Sequence, residues 1–192
     1  MTALYVLRNG FHFHEDALFW DTGFTFARFL WESLMPTSPS GKDAASAVTR
    51  DQLVDLLNED LAREYQAIIS YVVYSQVLKG ATYMNIAAEL EVHAGEELAH
   101  AITIASQIDY LGGMPKVEPK PVKTSEKAED MLRFDLDNEN ETIRNYRQRV
   151  RQCEALGEFA LAEQIRQILV QEQDHQIALA TALGIDVPNV QA

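Results

Sequence analysis

From about residue 50 onward, apolar side chains recur every three or four positions, the spacing of one face of an α-helix. Four such stripes follow one another, and each ends close to a glycine. They predict four helices: one at about residues 51–79, a second whose apolar stripe runs from Ile86 to Leu111, and two at about residues 126–156 and 158–183. Thr49 and Gln52 have the spacing of a capping box at the start of the first helix, and Ser125 is the predicted N-cap of the third.

The connections between these helices predict how they are arranged. One or two residues separate the first helix from the second and the third from the fourth, so each pair is expected to form an antiparallel hairpin. The middle connection, residues 112–124, contains Pro115, Pro119 and Pro121 and cannot be helical. It can reach about 43 Å, comparable with the roughly 45 Å of a thirty-residue helix. The sequence therefore predicts an all-α four-helix bundle with one long crossover between the second and third helices.

The start of the chain differs in composition from the rest. Both tryptophans and six of the eight phenylalanines precede residue 35, and a Pro/Ser/Gly stretch typical of a linker follows. We interpret residues 1–48 as an aromatic extension with a linker, residues 49–184 as the bundle and residues 185–192 as a short tail. Two interpretations of the extension stay open. In the first, residues 1–34 are disordered, or they are wrongly assigned sequence that precedes a true start at Met35. In the second, they add a contact to an oligomer or partner.

Charge and cysteine content exclude several classes of protein. With 29 acidic and 16 basic side chains the net charge is −13, which repels phosphates and anionic lipids, so neither nucleic acid nor a membrane is an expected partner. No apolar run reaches the roughly 20 residues that span a bilayer, and no signal peptide is recognisable, so we expect a soluble, cytoplasmic protein. A single cysteine, Cys153, excludes disulfide frameworks and cysteine-based metal sites within one chain. Four arginines of the third helix are interpreted as a solvated or subunit-contact face: Arg144, Arg147, Arg149 and Arg151.

Each predicted helix carries a glutamate on its apolar face, where a leucine would be expected. These glutamates are Glu64, Glu97, Glu139 and Glu172. His100 and His175 follow the second and fourth of them by three residues, which is one helical turn, so each Glu-x-x-His pair can converge on one metal ion. The first two glutamates and the last two are each 33 positions apart, so two similar hairpins would place all six side chains at one level.

Burying an unpaired carboxylate costs several kcal/mol, and no lysine or arginine shares the stripe positions. Two divalent cations would balance four carboxylates, with the imidazoles as neutral ligands. One Glu-x-x-His pair alone would be close to chance, whereas two pairs with two single glutamates at a repeated spacing favour a dinuclear metal site. Its oxygen-rich donors suit iron or manganese, and zinc could occupy it without redox chemistry.

At these residues the chain resembles bacterioferritin, within the ferritin-like superfamily. The similarity covers about residues 51–183: residues 57–64 resemble the first-helix motif, residues 132–136 resemble the start of the third helix, and both Glu-x-x-His pairs match. The resemblance implies two bound iron ions, or manganese, with Glu97 and either Glu139 or Glu172 as bridges. It places the family's ferroxidase ligands on Glu64, Glu97, His100, Glu139, Glu172 and His175.

Two further residues lie near these positions, and each has two interpretations. Tyr71 matches a tyrosine found beside the family's site, or it is a core tyrosine. His93, one turn before Glu97, is a residue supporting the ligands or an extra metal ligand, or else a hydrogen-bonded core histidine.

Apart from its aromatic N-terminal extension, which has no counterpart in the family, the chain departs from the bacterioferritin pattern at two places. Leu98 stands where the family has the methionine that holds haem, so haem is not expected. Only residues 184–192 follow the fourth helix, too few for the fifth helix of the twenty-four-subunit shells. The resemblance therefore implies a homo-oligomer, either a twelve-subunit shell or a smaller assembly.

The function implied by the resemblance is a ferroxidase that oxidises Fe(II) with O2 or H2O2 for iron storage and detoxification. Two alternatives stay open. One is another enzyme on the same centre, a manganese catalase or a peroxidase of the rubrerythrin type. The other is a DNA-shielding stress protein of the Dps type, although the basic tails of those proteins are not seen in this sequence.

Overall fold

The computed structural model describes residues 48–191, which form four long α-helices and no strand. The helices are α1 (Arg50–Val77), α2 (Met84–Tyr110), α3 (Ala128–Ala155) and α4 (Phe159–Leu183), with a short 3-10 helix at Ala81–Tyr83. The predicted all-α four-helix bundle is confirmed, and none of these helices is long and apolar enough to cross a membrane. The predicted aromatic extension lies outside the described residues, apart from Val48.

The two predicted helix caps have different outcomes. The capping box is present: the Gln52 amide donates to the Thr49 hydroxyl at 3.2 Å, and the Thr49 amide donates to the Gln52 side chain at 2.9 Å. The prediction for Ser125 was wrong, because α3 begins only at Ala128. The Ser125 hydroxyl instead donates to the Asp130 carboxylate at 2.8 Å, so it orders the turn before the helix.

The connections are longer than predicted. Residues 78–83, with the 3-10 helix, join α1 to α2, and residues 156–158 join α3 to α4. Both pairs still pack as hairpins, because each connection reverses the chain in a compact turn. Gly184 ends α4 as predicted, at a φ of 66°, a left-handed conformation that glycine adopts without a steric penalty.

The crossover, residues 111–127, runs along α1. Four contacts tie it there in order: Asn58 with Lys116, Ala62 with Lys120, Gln66 with Pro121 and Tyr74 with Lys123. Because the numbers rise on both sides, the connection runs parallel to α1 and returns the chain to the end of the bundle at which α2 began. Helices α2 and α3 are therefore both antiparallel to α1, which confirms the predicted topology.

Two apolar clusters fill the bundle, one in each half. One contains Leu57, Ile104 and Ile165 among others, and the other contains Leu90, Leu132 and Leu179. α1 and α4 each pack against both α2 and α3, so all four helices line the space between the clusters. The layer between the clusters, at mid-length of the bundle, is where the predicted glutamates lie.

Candidate metal centre

All six predicted ligands converge in this middle layer. Each is at most 2% exposed, and every helix contributes. They are Glu64 from α1, Glu97 and His100 from α2, Glu139 from α3, and Glu172 and His175 from α4. The repeated spacing in the sequence thus corresponds to one level in the structure.

The six side chains form two overlapping groups. Glu64, Glu97, His100 and Glu172 can bring one donor atom each to within 4.8 Å of one another, and so can Glu97, Glu139, Glu172 and His175. Two residues, Glu97 and Glu172, belong to both groups. The sequence left Glu139 and Glu172 as alternative partners for Glu97; the geometry places Glu172 in the shared position and Glu139 at one end.

Each histidine turns its Nδ1 atom toward the carboxylates. His100 Nδ1 lies 3.1 Å from Glu172 Oε1 and 3.2 Å from Glu97 Oε2. His175 Nδ1 lies 3.0 Å from Glu97 Oε1. The Nδ1 atoms are therefore directed at the places where each group could hold a cation.

The opposite ring nitrogens are anchored by two residues that the sequence analysis missed. His100 Nε2 lies 2.9 Å from Gln171 Oε1, and His175 Nε2 lies 2.8 Å from Glu96 Oε2. Such partners orient the ring of a histidine ligand and fix its tautomer. A signal was present, because each of the two directly precedes the glutamate of a Glu-x-x-His pair.

Two buried tyrosines bind Glu64 and Glu139, the glutamates that each belong to only one of the two groups. Each tyrosine lies on the helix that carries the other glutamate. The Tyr71 hydroxyl donates to Glu139, and the Tyr146 hydroxyl donates to Glu64. Burial, with the nearby carboxylates, raises the pKa of both phenols well above the usual value, so both stay protonated donors. Tyr71 therefore contacts the site rather than serving only as core. Tyr146 was missed, although it follows Glu139 by the same seven positions that separate Tyr71 from Glu64.

His93 lies against the same cluster but makes no hydrogen bond through Nδ1. It is 3% exposed, and its ring lies 4.1 Å from that of His175 at a tilt of 30°. Burial first, and the charge of His175 second, lower the pKa of His93 to about 4, so its imidazole is neutral at pH 7. The Nδ1 atom is buried without a partner, which differs from a hydrogen-bonded core histidine.

Comparison with known proteins agrees with this geometry. The ferritin-like domain family matches residues 54–185. This chain belongs to that family. A bacterioferritin from Desulfovibrio desulfuricans is 30% identical over 125 residues, which covers 65% of this chain and 70% of the relative.

Solved ferritin-like structures share the fold. A ferritin-like, diiron-carboxylate protein from Bacillus anthracis is 32% identical, with a TM-score of 0.67 over 70% of this chain and 96% of that one. A dodecameric thioferritin from Bacteroides fragilis, described as bacterioferritin-related, is 26% identical, with a TM-score of 0.66 over 76% of this chain and 92% of that one.

Without metal, the ferritin-like site balances its own charge. Burial raises the pKa of Glu64 and Glu139 well above the usual range, which favours the neutral form of both acids. Burial would also raise the pKa of Glu97 and Glu172, but the adjacent histidines outweigh it and lower both.

The histidines supply the opposite charge. Burial would lower the pKa of His175, but the adjacent Glu172 and Glu97 carboxylates raise it to about 12, and carboxylates raise that of His100 in the same way. Two imidazolium ions thus face two carboxylates. Protons on the histidines can thus offset part of the carboxylate charge without metal, as two divalent cations would do when bound.

The residues nevertheless fit a pair of cations. Several buried ligand atoms of the centre lie close to a charged neighbour but make no hydrogen bond of acceptable geometry, which is uncommon in protein interiors. They are Glu64 Oε2, Glu97 Oε1, both Glu172 oxygens and His175 Nδ1. A cavity of about 10 Å³ reaches all four glutamates, which is room for about one water-sized molecule. Carboxylate oxygens and imidazole nitrogens are donors that iron and manganese both accept.

Proposed function

We propose that this chain is a ferroxidase that takes two Fe(II) ions as substrate at the six-residue centre, for iron storage or detoxification. The observation that carries the proposal is the overlap of two donor groups through Glu97 and Glu172, with one histidine in each group. Two Fe(II) ions give up two electrons. O2 accepts these with two protons to become H2O2, or H2O2 accepts them with two protons to become two waters.

The chain's residues contribute binding, charge and exclusion of water. Anionic carboxylates favour Fe(III) over Fe(II), so the four glutamates lower the free energy of the oxidised product relative to the substrate. Tyr71 and Tyr146 hold the end carboxylates in place. The apolar clusters above and below keep bulk water from the centre. The likeness to a diiron-carboxylate protein and to a bacterioferritin supports this choice of metal.

Stopped-flow oxidation of the purified chain tests the proposal. The protein is loaded anaerobically with two Fe(II) per chain and mixed with O2 or H2O2, and near-ultraviolet absorbance of Fe(III) is expected to rise faster than in buffer. Glu97→Ala and His175→Ala should lose this acceleration. Glu163→Ala, on an α4 side chain that is 61% exposed, should keep it. Unchanged kinetics in the first two variants would contradict the proposal.

The same preparation separates the alternative functions. Rapid O2 release from H2O2 by the manganese-loaded protein, with slow Fe(II) oxidation, would favour a manganese catalase. H2O2 consumption only with an added electron donor would favour a peroxidase. Retardation of DNA in a gel at physiological salt would favour a protein of the Dps type.

We also propose that the chain forms a homo-oligomer. Four apolar side chains on α1 are 36% exposed or more, at the spacing of one helical stripe: Ile69, Val72, Val73 and Val77. Leu98 and Ile102 on α2 are more than half exposed. Such side chains favour a subunit contact, and the related Bacteroides fragilis protein is dodecameric. Light scattering should give a mass several times that of one chain, and Val72→Glu should lower it.

A further inference from the structure

The cavity that reaches the four ligand glutamates also contacts a residue of opposite charge. Its other lining residues belong to α1 and α3: Arg63, Gln66, Ala67, Asn138 and Thr142. Of all the residues that line the cavity, only Arg63 carries a positive charge. Arg63, Ala67 and Asn138 are partly exposed, whereas the glutamates are at most 2% exposed. The cavity therefore leads from the surface between α1 and α3 toward the centre.

The Arg63 guanidinium is fixed beside this cavity and has a donor to spare. Its Nη2 atom donates to Glu141 Oε1 at 2.5 Å, which joins α1 to α3. Its Nε atom is buried and has no hydrogen-bond partner. The Arg63 side chain is only 18% exposed, so solvent reaches little of it. A buried donor without a partner costs free energy that a bound acceptor would recover.

The size and polarity of the cavity limit what can bind next to Arg63. A volume of about 10 Å³ admits one water-sized molecule. A second oxygen atom would lie at the outer end, where the partly exposed side chains of Arg63 and Asn138 can shift. The guanidinium repels a divalent cation at close range. H2O2 is uncharged and small, and both of its oxygen atoms accept hydrogen bonds, whereas O2 accepts them only weakly.

We propose that Arg63 binds hydrogen peroxide in this cavity and makes H2O2 rather than O2 the preferred oxidant of the centre. This inference rests on the ferroxidase reaction proposed above. H2O2 accepts two electrons from two Fe(II) ions, its O–O bond breaks, and two protons from solvent complete two molecules of water. Negative charge develops on the separating oxygen atoms, and a fixed guanidinium nearby stabilises that charge. Arg63 donates hydrogen bonds and gives up no proton.

Oxidation kinetics with each oxidant test the role of Arg63. Arg63→Met should raise the KM for H2O2 about tenfold, because a hydrogen bond from a charged donor is lost. Fe(II) oxidation by O2 should stay nearly unchanged. Arg63→Lys keeps the positive charge and should recover part of the loss. Arg133→Met is the matched control, because it removes an exposed arginine that pairs with a glutamate on α3, and it should affect neither reaction.

A second variant leaves Arg63 in place. Glu141→Gln weakens the contact that orients the guanidinium, at a side chain that is 46% exposed, and should raise the KM for H2O2 by less than Arg63→Met does. Equal slowing with H2O2 and O2 in Arg63→Met would overturn the proposal. So would an unchanged KM for H2O2 in both variants.

Zn(II)-loaded crystals soaked in H2O2 test the binding without redox chemistry. Density for two bonded oxygen atoms is expected within hydrogen-bond distance of Arg63 and should be absent in Arg63→Met. Soaked wild-type crystals without this density would overturn the peroxide site. If neither oxidant reacts faster with the Fe(II)-loaded protein than with Fe(II) in buffer, the ferroxidase proposal fails, and density beside Arg63 would still support the peroxide site.

Discussion

At the scale of single residues, the crossed tyrosines are expected to stabilise the metal-free centre. Tyr146→Phe removes the donor to Glu64 and leaves a buried oxygen unpaired. We expect the free energy of unfolding to fall by about 1–3 kcal/mol. Urea denaturation of chelator-treated protein measures this change. Tyr110→Phe, at a tyrosine that is 66% exposed, is the control and should change stability little; equal effects of the two substitutions would contradict the role of Tyr146.

The ionisation of single residues also predicts how many protons leave the centre when metal binds. In the metal-free centre, the raised pKa values of Glu64, Glu139, His100 and His175 favour the protonated form of all four. Ligation by two divalent ions requires all of these protons to leave, so about four should be released per chain near pH 7. Apparent affinity for metal should therefore rise with pH.

Zn(II) calorimetry in buffers of different ionisation enthalpy measures this release without redox chemistry. Glu64→Gln, which has no proton to give up at this position, should release about one proton fewer. Release close to zero in wild-type protein would show that the carboxylates and imidazoles are already deprotonated without metal.

At the scale of helices, a buried ion pair joins α1 to α3 one turn from the centre. Arg149 Nε donates to Asp60 Oδ2 at 2.6 Å, and the two side chains are 4% and 2% exposed. Arg149→Met leaves a buried carboxylate, so unfolding free energy should fall by about 3–5 kcal/mol. Arg133→Met breaks an exposed pair with Glu129 and should cost less than about 1 kcal/mol.

The double variant Asp60→Leu with Arg149→Met completes the cycle. It should recover much of the lost stability, because no charge is then left buried. Additive losses in urea denaturation would show that the two side chains act separately.

Helix faces were predictable from the sequence, but partners across helices were not. The stripes placed all six candidate ligands on inward faces, because burial follows the helical period. Arg149 was assigned to a solvated or subunit face, and its burial depends on Asp60, 89 positions earlier in the chain. Ser125 has the composition of an N-cap, but its hydroxyl bonds Asp130 instead. Local pattern does not decide between such competing hydrogen bonds.

At the scale of the whole molecule, the topology could be predicted from the lengths of the connections. The charge state of the buried centre could not be predicted from the sequence. The crossover was predicted to be long enough to run the length of the bundle and leave α2 and α3 parallel. Its contacts with α1 show this arrangement. Counting carboxylates suggested that cations must close the bundle. In the structure, His100 and His175 lie about 3 Å from Glu172 and Glu97, so protonated imidazoles can also offset carboxylate charge. These distances depend on packing between helices and do not follow from the spacing of residues in the sequence. The boundary of the bundle at residue 48 stays a prediction.

The centre's protons should make the stability of the metal-free molecule fall as pH rises. The folded centre keeps protons on Glu64 and Glu139 above their ordinary pKa of 4.5, and on His175 from 6.5 up to about 12. The unfolded chain loses these protons at the lower values, so the folded state binds more protons in this window. Glu97 and Glu172 have lowered pKa values in the folded state and act in the opposite direction. Their contribution to stability is present at neutral pH and is lost only below about pH 4.5.

We therefore expect the stability of the metal-free protein to fall between about pH 6 and pH 9, by about 1.4 kcal/mol per pH unit for each extra proton that the folded centre holds. Urea midpoints of chelator-treated protein measure this loss. The Zn(II)-loaded protein should not show it, because bound ions replace the protons and a higher pH favours their binding. Glu64→Gln, which keeps a neutral side chain at every pH, should flatten the metal-free curve. Parallel curves for metal-free and loaded protein would mean that the centre's protons do not couple to folding.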